Sequence, residues 1–144
     1  MRAGSTVFLN SFHEGGLLFL GDVHGSQGDS KLTMIANETS AEVTLSVEIV
    51  AKDRVPSVLR IETPDKLVQV DAMNDAGTLQ NTLENCFIGM MKWLIEDYEF
   101  SQREAYLHLS INPGVECHVY QFIPELGFVT CGVEFPVSSL EPTT

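Results

Sequence analysis

An aspartate and a histidine stand two positions apart, Asp22 and His24, directly after the apolar run at 17–20. Carboxylate and imidazole bind divalent cations and move protons near neutral pH. If the apolar run is a strand that continues, positions i and i+2 project to one side, and the two groups converge at the strand end. Gly21, Gly25 and Gly28 would let backbone approach closely there. Asp29 and Glu38 add carboxylates within reach of a loop folded back on itself. Hard oxygen and borderline nitrogen donors of this kind suit Zn²⁺ or Mn²⁺, and Ca²⁺ where oxygens dominate. The same residue types also suit a tight surface turn, so a purely structural bend stays open as an alternative.

The other histidines carry less. His108 falls in a helical stretch, where capping or packing is the ordinary role. His118 alternates with Val119 on a strand pattern and could face solvent. Met90 and Met91 read as core filling.

The elements that must position this segment follow from periodicity. Short apolar runs at 6–9 and 17–20 read as strands around a turn signal at 13–16. Residues 22–30 are rich in Gly, Ser and Asp and read as a loop. Residues 42–50 alternate, with Val43, Leu45, Val47 and Ile49 on one side and Glu42, Thr44, Ser46 and Glu48 on the other, the mark of a half-buried strand with a solvated acidic face. A turn at 51–55 leads to strands at 58–62 and 67–70, split by Pro64 and Asp65. From 79 to 98 the period changes. Leu79, Leu83, Cys86, Phe87, Met90, Met91, Leu94 and Ile95 recur at helical spacing, which predicts an amphipathic helix with Trp93 at the edge of its stripe. Ser101 and Glu104 form a capping-box pattern that opens a second helix over 102–109, ended by Asn112-Pro113-Gly114. Strands at 115–122 and 127–134 join around Pro124-Glu125. No repeat, low-complexity tract or linker interrupts the chain. The fold class is α+β, a β-rich domain spanning 1–144 with two consecutive helices packed on the sheets.

Composition narrows the partners. The chain has 144 residues, 44% hydrophobic, enough to fill one core. Eight Lys and Arg against 20 Asp and Glu give a formal charge of −12. This disfavours nucleic acid, whose binders cluster positive charge, and an anionic membrane surface. No run approaches the ~20 apolar residues of a membrane span, and 17–20 is too short for a signal-peptide core. Cys86, Cys117 and Cys131 form no C-x-x-C pair, so reduced thiols in a cytoplasmic protein are expected. Exposed strand edges in a small sheet predict a homo-oligomer.

Gly21–Gly25 (GDVHG) looks like the first motif of calcineurin-like metallophosphoesterases, but the later G-D-x-x-D-R-G and G-N-H-E segments are missing, and Lys52-Asp53-Arg54 lacks a preceding Gly-Asp. A two-metal site cannot be assembled from what remains. A fuller match runs over nearly the whole chain. Gly16, Leu18, Gly21, Asp22, His24, Gly28, Asp29 and Glu38, followed by the strand pattern at 42–45, resemble the acetamidase/formamidase family. Trp93, Ser101, Glu104, Ala105, Tyr106 and Ser110 are similar to a second family segment. The chain resembles the C-terminal half of such proteins, and Lys31 stands where the family commonly has Glu.

The resemblance implies an amidase acting on carbon–nitrogen bonds other than peptide bonds in short linear amides such as formamide or acetamide, giving carboxylate and ammonia. It implies a divalent metal held by Asp22, His24 and Glu38, Zn²⁺ before Ca²⁺ or Mn²⁺, that lowers the pKa of a bound water. Glu38 or Asp29 would carry the proton to the leaving amine, and Gln27 would hydrogen-bond the amide. The small-molecule amide is the expected partner, beside a second copy or a second chain supplying the remaining half. A non-catalytic metal- or ligand-binding domain of amidase descent is the alternative.

Overall fold

The computed structural model describes residues 1–51, 59–72 and 78–140. Among these residues five strands form one antiparallel sheet in the order β1 (Thr6–Phe8), β2 (Arg60–Glu62), β3 (Lys66–Ala72), β5 (Phe128–Pro136), β4 (Glu116–Ile123). Two helices, α1 (Leu79–Tyr98) and α2 (Gln102–Ile111), come between β3 and β4 in sequence. The fold is α+β, as the change of period requires.

Helix α1 has the predicted bounds. Thr78 caps its start by accepting from the Asn81 amide at 3.1 Å. Ser101 and Glu104 make both halves of the capping box that starts α2. Cys86, Met90, Trp93 and Leu94 form the buried stripe of α1, all under 2% exposed. They pack on Leu67 of β3 and on Val129, Cys131, Val133 and Phe135 of β5. Full burial of each large side chain is worth about 1.5–3 kcal/mol. Trp93 lies at the centre of this core rather than at its edge. It stands seven residues after Cys86, two helical turns on, and Arg60 covers its ring at 4.8 Å.

The opposite face of the sheet is mixed. Cross-strand register places Val68 opposite Glu134, Glu134 opposite Glu116, and Gly132 opposite both Val70 and His118. Lys66 bonds Glu134 at 2.6 Å and also Glu116. Strand β4 is an edge. Its register steps from Val119↔Cys131 to Gln121↔Thr130, so Tyr120 is the extra residue of a β-bulge.

Two expected strands are absent. Residues 17–20 and 42–50 are irregular and exposed, with Leu17 97% and Ile49 99% accessible. Neither run pairs with a strand among the described residues, and alternation stabilises a strand only against cross-strand neighbours. The turn expected at 51–55 lies, beyond residue 51, outside the described residues, as does Val58 at the start of the next predicted strand.

Candidate metal centre

The loop after residues 17–20 docks on the outer edge of β4. The Ser30 amide donates to the Val119 carbonyl, and the Phe122 amide donates to the Lys31 carbonyl at 3.3 Å. Together they make a one-residue parallel bridge between Lys31 and Gln121. Side chains extend the contact. Asp29 Oδ2 meets His118 Nδ1 at 2.7 Å, and Gln27 Nε2 donates to the Tyr120 carbonyl at 3.3 Å. The loop thus covers a sheet edge that would otherwise present unpaired backbone.

The chain then folds back on itself. The Gly25 amide donates to the Asn37 carbonyl at 2.7 Å, and the Thr39 amide donates to the Val23 carbonyl at 3.0 Å. This pairs His24 with Glu38 in an antiparallel bridge, and Asn37 Nδ2 adds a bond to Ser26 Oγ at 3.0 Å. Asp22 reaches the same point through a left-handed backbone, φ 57°, which aspartate tolerates better than most residues. The predicted convergence of Asp22 and His24 therefore occurs, but through a turn rather than a continuing strand. The flanking glycines do not enforce it. A Cβ on Gly28 would meet nothing within 4 Å, and one on Gly25 would make an ordinary contact with Asn37 at 3.5 Å.

At the centre, His24 Nε2 lies 3.2 Å from Asp22 Oδ1 and 3.8 Å from Glu38 Oε1. One ligand atom from each residue falls within 4.8 Å of the others. His24 Nδ1 meets Gln27 Oε1 at 2.9 Å. The imidazole is 15% exposed, while both carboxylates face water. A partly buried nitrogen donor flanked by two accessible oxygens is a donor set that suits Zn²⁺ or Mn²⁺. Ser26, Gln27, Asp29, Lys31, Leu32 and Ile35 belong to the wall of a hollow of about 370 Å³ along the same loop. Of the predicted site residues, Asp22, His24, Glu38 and Gln27 come together. Asp29 is turned to β4 and His118.

His118 is only partly open to solvent. It is half-buried, stacks on Tyr120 with ring centroids 5.9 Å apart, and bonds Asp29. Its Nε2 lies 3.7 Å from Glu116 and 3.9 Å from Glu134. The hydrogen bond that His118 donates to Asp29, joined by the negative field of Glu134, raises its pKa above the usual value against the opposing effect of burial. Glu116, His118 and Glu134 also have metal-capable geometry, but Lys66 already bonds both carboxylates. That cluster depends on cross-strand register. Its only trace in the sequence is the two-residue spacing of Glu116, His118 and Tyr120. His108 packs edge-on against Phe100 at 5.3 Å, the packing role expected of it, and His13 is exposed.

The model of the Acetamidase/Formamidase family matches residues 1–138. The chain belongs to this family. Three solved structures share the fold. An acetamidase from Bacillus halodurans is 22% identical with a TM-score of 0.70, over 95% of this chain and 44% of that one. An acetamidase from Yersinia enterocolitica is 23% identical with a TM-score of 0.76, over 96% and 39%. A recombinant predicted acetamidase/formamidase from the thermophile Thermoanaerobacter tengcongensis is 23% identical with a TM-score of 0.77, over 94% and 42%. The chain thus spans less than half the length of each of these family structures. No curated protein matches it.

Proposed function

We propose that this chain supplies the cation centre of an amidase that hydrolyses short linear amides, of the formamide or acetamide type, to carboxylate and ammonia. The observation that carries the reading is the approach of Asp22 and Glu38 to one ring nitrogen of His24 within a family of amide hydrolases. Asp22, His24 and Glu38 would hold a divalent cation, Zn²⁺ by preference for this donor set and Mn²⁺ or Ca²⁺ as alternatives. The cation supplies a water of lowered pKa and a Lewis-acid contact for the amide oxygen. Glu38, accessible to water and farther from the imidazole than Asp22, is the residue to take the proton released as water adds to the carbonyl. It returns that proton to the nitrogen as the carbon–nitrogen bond breaks. Asp29, held by His118, anchors the loop and is the second candidate for that transfer.

The test is metal analysis of the purified protein together with ammonia release from formamide and acetamide in added Zn²⁺. The reading expects about one bound metal per site and turnover that His24→Ala abolishes. Equal metal content and equal turnover in His24→Ala would overturn it.

A second reading has its own support. Phe12, Leu17, Phe19, Ile35, Val47 and Ile49 are exposed, apolar side chains that a second copy or a partner chain would cover. On this reading residues 1–144 form one domain that binds metal and completes a site only with a second copy or a partner chain. A solution mass equal to one chain would contradict it. The three cysteines are free, in keeping with a cytoplasmic setting, and among the described residues no helix is long and apolar enough to cross a membrane.

A further inference from the structure

We propose that Gln27 is a positioning residue: with its amide fixed by the bulged carbonyl of Tyr120, it holds the proton of His24 on Nδ1 and leaves the Nε2 lone pair facing Asp22 and Glu38. The inference rests on the cation reading for its purpose but not for its geometry. A backbone carbonyl only accepts, so the group of Gln27 that faces Tyr120 at 3.3 Å must be the amide nitrogen. The carbonyl of Gln27 is thereby turned to His24 Nδ1 at 2.9 Å. That oxygen also only accepts, so Nδ1 must carry hydrogen. In neutral His24 the lone pair then sits on Nε2, the atom nearest both carboxylates.

The arrangement is the reverse of what His24 and Asp22 would choose alone. A carboxylate is a stronger acceptor than an amide oxygen, so an unconstrained neutral imidazole would place its hydrogen on Nε2, toward Asp22 at 3.2 Å. That tautomer has no lone pair to give a cation. Inverting the Gln27 amide would permit it, but would set two carbonyl oxygens against each other at Tyr120. The bulge therefore has a specific consequence. Tyr120 is the residue skipped by the β4–β5 register, and its carbonyl is the fixed point from which the relay through Gln27 to His24 begins. Metal-binding histidines commonly donate their second N–H to such a partner, and loss of the partner weakens metal binding about 10–100-fold.

The experiment is ¹⁵N-histidine NMR on the full chain without metal, at a pH above the imidazole titration. The proposal expects His24 to show Nδ1–H with unprotonated Nε2. Gln27→Leu, at an exposed position where folding should survive, moves the hydrogen to Nε2. Gln27→Glu, which retains an accepting oxygen toward Nδ1 but loses the donor to Tyr120, keeps a larger share of the hydrogen on Nδ1 than Gln27→Leu does. Zn²⁺ titration adds a second readout, with Gln27→Leu about 10–100-fold weaker and Gln27→Glu between it and the unaltered chain. An Nε2–H tautomer in the unaltered chain, or a tautomer that ignores Gln27→Leu, overturns the proposal. Zn²⁺ binding with an unresponsive tautomer removes the role of Gln27 and spares the cation centre. The expected tautomer without any Zn²⁺ binding does the reverse.

Discussion

Asp29 Oδ2 and His118 Nδ1 meet at 2.7 Å across a separation of 89 residues, joining the loop that carries Asp22 and His24 to the edge of the sheet. The contact is charged only while His118 is protonated. Its pKa in the fold lies above the ordinary value near ~6.5. The stabilisation is therefore fully present below that ordinary value and is lost as pH rises through the raised one. Asp29 is more than half exposed, so the effect on global stability is small, about 0.2–1 kcal/mol. The local effect is larger. Hydrogen exchange of the Ser30 amide, bonded to Val119, should accelerate above the intrinsic pH trend as His118 deprotonates. Asp29→Asn should abolish that excess.

The carboxylates of the centre should separate by role. Asp22→Asn keeps a residue that tolerates φ 57° but removes a charge 3.2 Å from His24. Zn²⁺ affinity is expected to fall at least about 10-fold with the thermal midpoint of the metal-free protein unchanged. Asp22→Val adds backbone strain of about 1–3 kcal/mol and should lower that midpoint as well. Calorimetric titration and thermal unfolding, read together, separate the two.

Lys31 gives a charge test. It belongs to the wall of the same hollow as Gln27 and Asp29, and its link to β4 is through backbone. Lys31→Glu should leave the fold intact and raise Zn²⁺ affinity a few-fold, on the order of 3-fold at physiological salt, where exposed charges are screened beyond about 8 Å. The gain should shrink in 1 M salt, a comparison made by repeating the titration.

The legible part of the fold was the part set by local chemistry. The bounds of α1 follow from 3–4 spacing, and the start of α2 follows from Ser101 and Glu104, because both signals are complete within a few turns of chain. Residues 42–50 alternate as cleanly as any strand here, yet strand structure needs a neighbour to pair with, which alternation cannot show. Asp22, His24 and Glu38 were legible as residue types. What brings Glu38 to His24 is a fold-back held by backbone bonds of Gly25 and Thr39, and what holds the loop is Asp29 on His118. Both depend on which strand edge the loop meets. The cluster of Lys66, Glu116 and Glu134 has no local signal for the same reason, since three strands contribute it.

Gly132 tests the bulge. A Cβ there would sit 2.4 Å from the ring of Tyr120, whose hydroxyl donates to Glu134 at 3.1 Å. Gly132→Ala should displace the ring and cost about 1–3 kcal/mol in denaturant unfolding. It should also weaken loop docking, seen as faster exchange at Ser30. Ser101→Ala, which removes only a helix cap, should cost about 1 kcal/mol without touching Ser30 exchange.

The most direct measurement is anomalous diffraction at the zinc edge from crystals grown with Zn²⁺. The account predicts one peak bonded to Asp22, His24 Nε2 and Glu38 at about 2.0–2.2 Å, with Gln27 on the far side of the imidazole. A peak at Glu116, His118 and Glu134 instead, or no peak beside a His24 that has swung away from both carboxylates, would contradict it.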